Sequence, residues 1–201
     1  MTFRIETERL ILRPLALTDE DDLLEYQSHP EIVRYIPWPE RTREQVREAL
    51  EKYAPLHKDV ITESGDFLLL AWELKDGANK GKVIGQSNLS IERKEDQYSE
   101  FGYVTHQNFQ RQGYAFEASR ALLDYAFRNF AIHRIVAKID SRNPESARLA
   151  EKLGMRLEGT FRESEFFKGD WCDMWEYANL KSEFHAEFRA QHFLVYTWNI
   201  A

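Results

Sequence analysis

Gln110-Arg111-Gln112-Gly113-Tyr114-Ala115 is a short turn of amide and guanidinium side chains with one glycine, set directly before a run with helical spacing. A helix start exposes unpaired N–H groups and the positive end of its dipole, and a residue without Cβ lets a ligand approach that backbone. These types and this spacing suit an anion such as a phosphate, with Gln110 and Arg111 able to add side-chain donors. A second helix start, Asn143-Pro144-Glu145-Ser146, places an N-cap candidate before a proline at the first helical position. Other chemistries fall away. Cys172 is the only cysteine, so no internal disulfide forms, and no adjacent histidine activates it as a nucleophile. The six histidines lack a metal-ligand spacing such as His-Glu-x-x-His, and no Ser-His-Asp set is credible.

The elements that must position these residues follow from periodicity. Ala115 to Phe130 carries Ala118, Leu122, Tyr125, Ala126 and Phe130 on one side, the pattern of an amphipathic helix. Before it, Phe67–Leu74, Val83–Leu89 and Tyr98–Val104 read as strands, with Gly85 marking a close backbone approach and Glu92–Asp96 a charged turn. Glu8–Pro14 reads as a first strand, and Thr18 as the N-cap of a helix that His29-Pro30 ends. Thr42-Arg43-Glu44-Gln45 is a capping box for a second helix, which turns Val46, Leu50 and Tyr53 inward. Ile135–Ile139 is a buried strand, and Leu149, Leu153 and Gly154 belong to the helix opened by Asn143. Leu157–Phe161 and Trp171–Tyr177 read as the last strands, with Phe166–Asp170 as an excursion between them. Strand, anion-binding turn, helix, strand and capped helix, in that order, suggest a phosphate-bearing cofactor at the open end of a sheet.

The motif Gln/Arg-x-x-Gly-x-Gly/Ala, matched by Gln110 to Ala115, is the pyrophosphate-binding signature of the GNAT superfamily of N-acetyltransferases. Asn143-Pro144-Glu145-Ser146, Glu151-Lys152-Leu153-Gly154-Met155 and Glu158-Gly159 resemble the later part of the same domain. More narrowly they resemble the branch containing the ribosomal-protein N-terminal acetyltransferases. The resemblance spans about Thr7 to Leu180. It implies an α/β fold with a mixed, largely antiparallel central sheet, flanked by helices and splayed where acetyl-CoA enters. Phe116 departs from the small residue more usual after the turn, which puts the detail of cofactor contacts at that position in question.

Direct acetyl transfer to an amine needs a neutral amine, a donor for the oxyanion and a proton for the leaving thiolate, with no protein nucleophile. An α-amine, with a pKa near ~7.8, loses its proton more readily than a lysine at ~10.4. The resemblance implies a backbone oxyanion donor within Tyr103, Val104 and Thr105, and a cofactor cradle of Gln110, Arg111, Gln112, Gly113, Tyr114, Ala115 and Phe116 with Asn143 and Ser146. Two glutamates compete as base: Glu100 on the strand before the turn, and Glu165 before Phe166. Both also read as plain rim acids. Ser146 is the candidate thiolate acid, its alternative being a local helix-start hydroxyl. Tyr35 and Trp38, in the rigid segment Tyr35-Ile36-Pro37-Trp38-Pro39, are candidates to line the acceptor pocket or simply to cover the core.

The chain has 201 residues, 43% hydrophobic and 30% charged, which suits one domain over 1–201, with a core of about 7–180 and a C-terminal extension over 181–201. The net charge of −7 speaks against nucleic acid. No apolar run is long enough to span a bilayer, no signal-peptide core is present, and the cytoplasm is the expected location. The expected reaction is acetyl transfer to a protein N-terminal α-amine, by a monomer or homodimer that releases coenzyme A. A small-molecule amine such as an antibiotic, toxin or polyamine is the alternative acceptor. Acyl-CoA binding without turnover is the alternative of another class.

Overall fold

The computed structural model describes residues 3–184. Eight strands form one sheet: β1 (Ile5–Glu6), β2 (Leu10–Pro14), β3 (Phe67–Leu74), β4 (Val83–Arg93), β5 (Tyr98–Thr105), β6 (Arg134–Asp140), β7 (Arg156–Phe167) and β8 (Asp170–Leu180). Their order across the sheet is β1-β2-β3-β4-β5-β6-β8-β7. Every pairing is antiparallel except β5 with β6. The helices are α1 (Glu20–Gln27), α2 (Pro30–Val33), α3 (Arg43–Tyr53), α4 (Tyr114–Asn129) and α5 (Pro144–Lys152).

Alternation along the strands sends side chains to two cores, one on each face of the sheet. Leu68, Leu70 and Trp72 of β3 pack with Phe101 and the apolar side of α4, whereas Ala71 and Val104 pack with Leu23 of α1 and Val46 and Leu50 of α3. Fully burying a leucine or valine in either layer contributes roughly 1.5–3 kcal/mol. At Gly85 the strands approach so closely that a Cβ would lie 2.5 Å from Trp72 and 2.6 Å from the Val104 carbonyl. The α3 capping box forms as expected: Thr42 Oγ accepts from the Gln45 N–H, and Gln45 Oε1 accepts from the Thr42 N–H at 2.9 Å.

Several boundaries differ from the sequence reading. A short strand, β1, precedes the expected one, which begins at Leu10 rather than Glu8 because Thr7 Oγ accepts from the Leu10 N–H and turns the chain between β1 and β2. Thr18 is not a cap. It lies in a short 3-10 turn, and α1 begins only at Glu20 because Asp19 instead accepts from the Ala16 N–H and pairs with Arg13. Strand β4 runs on to Arg93. The excursion at Phe166–Asp170 is the tip of a long β7–β8 hairpin. Lys168 and Gly169, at φ 52° and 82°, make a two-residue turn of the kind hairpins favour. Asp124 is buried on α4, paired with Arg128 at 2.9 Å. Of the aromatics in the C-terminal extension, Phe184 is buried beside Phe127, and Phe188, Phe193 and Trp198 lie outside the described residues.

Candidate active site

Strands β5 and β6 pair only at Tyr98, Ser99 and Glu100, opposite Arg134, Ile135 and Val136. Beyond that point β5 stays on β4 as far as Thr105, and β6 stays on β8 as far as Asp140. The two strands therefore part. Backbone polar groups of Phe101–Thr105 on the β6 side lose their ladder partners there. Between them lies a cavity of about 310 Å³, lined among others by Phe101–Val104, Ala137–Asp140, Asn143, Ser146, Glu165 and the Tyr35–Trp38 segment.

The expected anion-binding turn follows β5 and leads into α4, and none of its residues lines this cavity. Arg111 and Gly113 adopt positive φ, 59° and 85°, and the first helical bond of α4 runs from the Glu117 N–H to the Gly113 carbonyl at 3.0 Å. The N–H groups of Tyr114, Ala115 and Phe116 are thus left over for a ligand. A Cβ at Gly113 would be strained by its φ and would meet Arg9 Nη2 at 3.3 Å. Gln110 and Gln112 each direct one of their two amide N–H donors to the protein backbone. Their amides bond loop carbonyls, Gln110 to Thr105 at 3.5 Å and Gln112 to Asn108 at 2.9 Å, because a tight loop must satisfy its own backbone. Arg111 is exposed and forms no ion pair among the described residues.

Sequence reasoning missed Arg9. Its guanidinium donates to the Gln112 carbonyl at 3.0 Å and to Glu117 at 2.6 Å, and sits 4.2 Å from the Tyr114 ring. It thereby braces the turn from over 100 residues away, a contact that no local pattern reveals. The Phe116 ring lies under Lys152 Nζ at 4.5 Å and packs against the core, so its bulk is turned towards α5.

Ser146 stands in the first turn of α5, whose N-cap Asn143 accepts from the Ser146 N–H at 3.2 Å. Its hydroxyl is not spent on local backbone. It meets the Tyr103 hydroxyl at 3.0 Å. The Tyr103 ring stacks near Trp72 and Phe101, and burial pushes its phenol up, so it remains a neutral donor.

On the opposite face, Glu100 and Glu165 both line the cavity. Glu100 is held by Lys138 at 2.9 Å, and that hydrogen bond raises the lysine's pKa, keeping it charged. Glu165 is half-buried and makes no hydrogen bond or ion pair among the described residues. Lys168 Nζ, at the hairpin tip, donates to the Val33 carbonyl at the end of α2 and so ties the hairpin to that helix. Burial raises the Cys172 thiol pKa, which leaves it a poor nucleophile. Among the described residues no cluster could hold a metal, and no helix is long and apolar enough to cross a membrane.

An opened sheet, leftover N–H groups at a positive-φ turn and a glycine whose φ strains any side chain together fit a pyrophosphate followed by a slender thiol-bearing arm. The domain family described as "Acetyltransferase (GNAT) domain" matches residues 9–156. The uncharacterised N-acetyltransferase YnaD of Bacillus subtilis is 30% identical over 184 residues, covering 90% of this chain and 99% of that protein. The crystal structure of a GNAT-family acetyltransferase from Bacillus anthracis superposes with a TM-score of 0.78 at 29% identity, covering 90% of this chain and all of that one. A shorter match links this chain to the "[Ribosomal protein uS5]-alanine N-acetyltransferase" of Escherichia coli. It is 33% identical over 93 residues, 46% of this chain and 48% of that protein.

Proposed function

The chain belongs to the GNAT acetyltransferase family and is an acetyl-CoA-dependent N-acetyltransferase, and we propose that its acceptor is the α-amine at the N-terminus of a peptide or protein. The observation that carries this is the parting of β5 from β6 after Glu100 and Val136, which opens a cavity lined by Asn143 and Ser146 at the start of α5 and by the charged Glu100, Lys138 and Glu165. The resemblance to the uS5-alanine acetyltransferase supports the acceptor class.

Acetyl-CoA would supply the acyl group as a thioester, held at its phosphates by the N–H groups of Tyr114–Phe116 and along its arm by Asn143 and the β5 backbone. The unpaired β5 N–H groups within Tyr103–Thr105 would face the developing oxyanion. Glu165, with no other partner, would take the proton of the attacking amine, while Glu100 is already engaged by Lys138. The Ser146 hydroxyl would return a proton to the departing sulfur and be resupplied by Tyr103.

One observation favours a small amine as the second reading: the aromatic residues Tyr35 and Trp38 line the cavity. Thiol release measured over a panel of N-terminal peptides, polyamines and aminoglycosides tests the choice. Turnover of peptides with a free α-amine, abolished by N-terminal blocking, is expected. Turnover confined to the small amines would overturn it.

A further inference from the structure

Beneath α3, on the acceptor face, lies a second cavity of about 330 Å³, and Trp38, Gln86 and Asn88 line both this one and the cleft between β5 and β6. The two are neighbouring parts of one hollow. The second has apolar walls from Leu15, Leu23, Leu50 and Leu69, over a floor where β4 presents Gln86, Asn88 and Ser90. A sheet face covered by helices normally carries apolar residues at such positions, so the polar stripe suits a ligand better than it suits packing.

Arg41 lines this cavity. One of its donors, Nη1, goes to Gln27 Oε1 at 2.8 Å, and its guanidinium lies 4.3 Å from the Trp38 ring. Gln27 and the Tyr26 hydroxyl both donate to Gln86 Oε1 at 2.9 Å, so the surroundings of Arg41 are fixed. No carboxylate pairs with it among the described residues. The acids of α1 and its approach are committed elsewhere: Asp19 to Arg13, Glu20 to Arg43 and Arg47, Asp22 and Glu25 to Lys82. Burial lowers its pKa with no carboxylate to offset it. A half-buried cation with spare planar donors and no counter-ion is matched in geometry and charge by a carboxylate.

We propose that the cavity beneath α3 is an acceptor subsite in which Arg41 binds a carboxylate carried by the acceptor, with the acceptor's apolar portion against Leu15, Leu23, Leu50 and Leu69. The inference rests on the transferase reading above and narrows its acceptor to an amine that also bears an acid. The carboxylate can be the C-terminus of a small amino compound or an acidic side chain near a protein N-terminus. Both present the same ion to Arg41.

Two matched pairs separate those sources. One is alanyl-leucine against its C-terminal amide. The other is a hexapeptide amide with glutamate at its third position against the same peptide with glutamine. Binding is followed by calorimetry in saturating coenzyme A, and turnover by thiol release with acetyl-CoA, for the wild type, Arg41→Gln and Arg41→Lys. In at least one pair the acid is expected to bind wild type about 10- to 100-fold more tightly than its neutral partner, as a charge-assisted hydrogen bond requires. That ratio should fall to near one in Arg41→Gln and be partly kept in Arg41→Lys. Equal binding, or none, of acid and neutral partner by the wild type in both pairs overturns the proposal without recourse to any variant. So does an Arg41→Gln protein that melts like wild type and keeps the preference. Carboxylate-dependent binding without thiol release would uphold the subsite and remove the transferase reading instead.

Discussion

Tyr103 and Ser146 meet hydroxyl to hydroxyl at 3.0 Å across the opened part of the sheet, although 43 residues separate them in the chain. Neither is there by accident of a flexible tail. Trp72 and Phe101 flank the tyrosine ring, and the Asn143 cap fixes the first turn that carries the serine. Burial raises the phenol's pKa, so it stays neutral and can hydrogen-bond the Ser146 hydroxyl without charging.

The two hydroxyls should therefore act as a unit. Tyr103→Phe and Ser146→Ala are each expected to lower kcat by about 10- to 100-fold, and the double variant by little more than the worse single one. Steady-state thiol release on the four proteins measures this. Independent, multiplying losses would separate the pair, and two silent variants would remove it from the reaction.

The competing glutamates differ in what already holds them. Glu100 is paired with Lys138 at 2.9 Å, whereas Glu165 makes no hydrogen bond or ion pair among the described residues and feels Lys138 only as a nearby charge. Glu165→Gln is expected to reduce kcat/KM by about 100-fold or more, the lower range for a general base, and Glu100→Gln by less than about 10-fold. Lys138, its pKa raised, stays charged below pH 10 and adds no limb of its own to the pH profile. The reverse ranking would move the base to Glu100.

Acid stability has a separate origin, at Asp66 in the loop before β3. The Lys58 ammonium and the N–H groups of Thr62 and Glu63 hold its carboxyl at about 2, against an ordinary 3.8. A depressed carboxylate pKa stabilises the fold above the unfolded value, and that stability is lost as pH falls through the folded one. Asp66→Asn should lower stability at pH 7, since a neutral amide cannot pair with the Lys58 ammonium. The gap to wild type should close between pH 4 and pH 2 in thermal melts. A gap that is constant across this range would contradict the assignment.

What the sequence made legible was local. The Gly113 turn, the Thr42 box and the Asn143-Pro144 start are each encoded within four residues, and each forms where expected. The β7–β8 hairpin was harder to see. Leu157–Phe161 reads as a short strand, yet β7 extends from Arg156 to Phe167 along an exposed edge, where polar residues such as Arg162 to Glu165 cost nothing. Arg9, Lys138 and the Tyr103 hydroxyl owe their roles to contacts between distant segments, so no spacing announced them. The polar stripe of Gln86, Asn88 and Ser90 was present in the sequence. It reads as a solvated strand face until α3 is seen to cover it.

The most direct measurement is calorimetric titration of acetyl-CoA into the wild type and Gly113→Glu. The variant puts a carboxylate at the helix start, at a φ of 85° that a side chain adopts only with strain. Micromolar binding by wild type, weakened by more than about 100-fold in a variant that still melts cooperatively, is the expected result. No binding by wild type, or equal binding by both proteins, would contradict a cofactor site at the Gly113 turn.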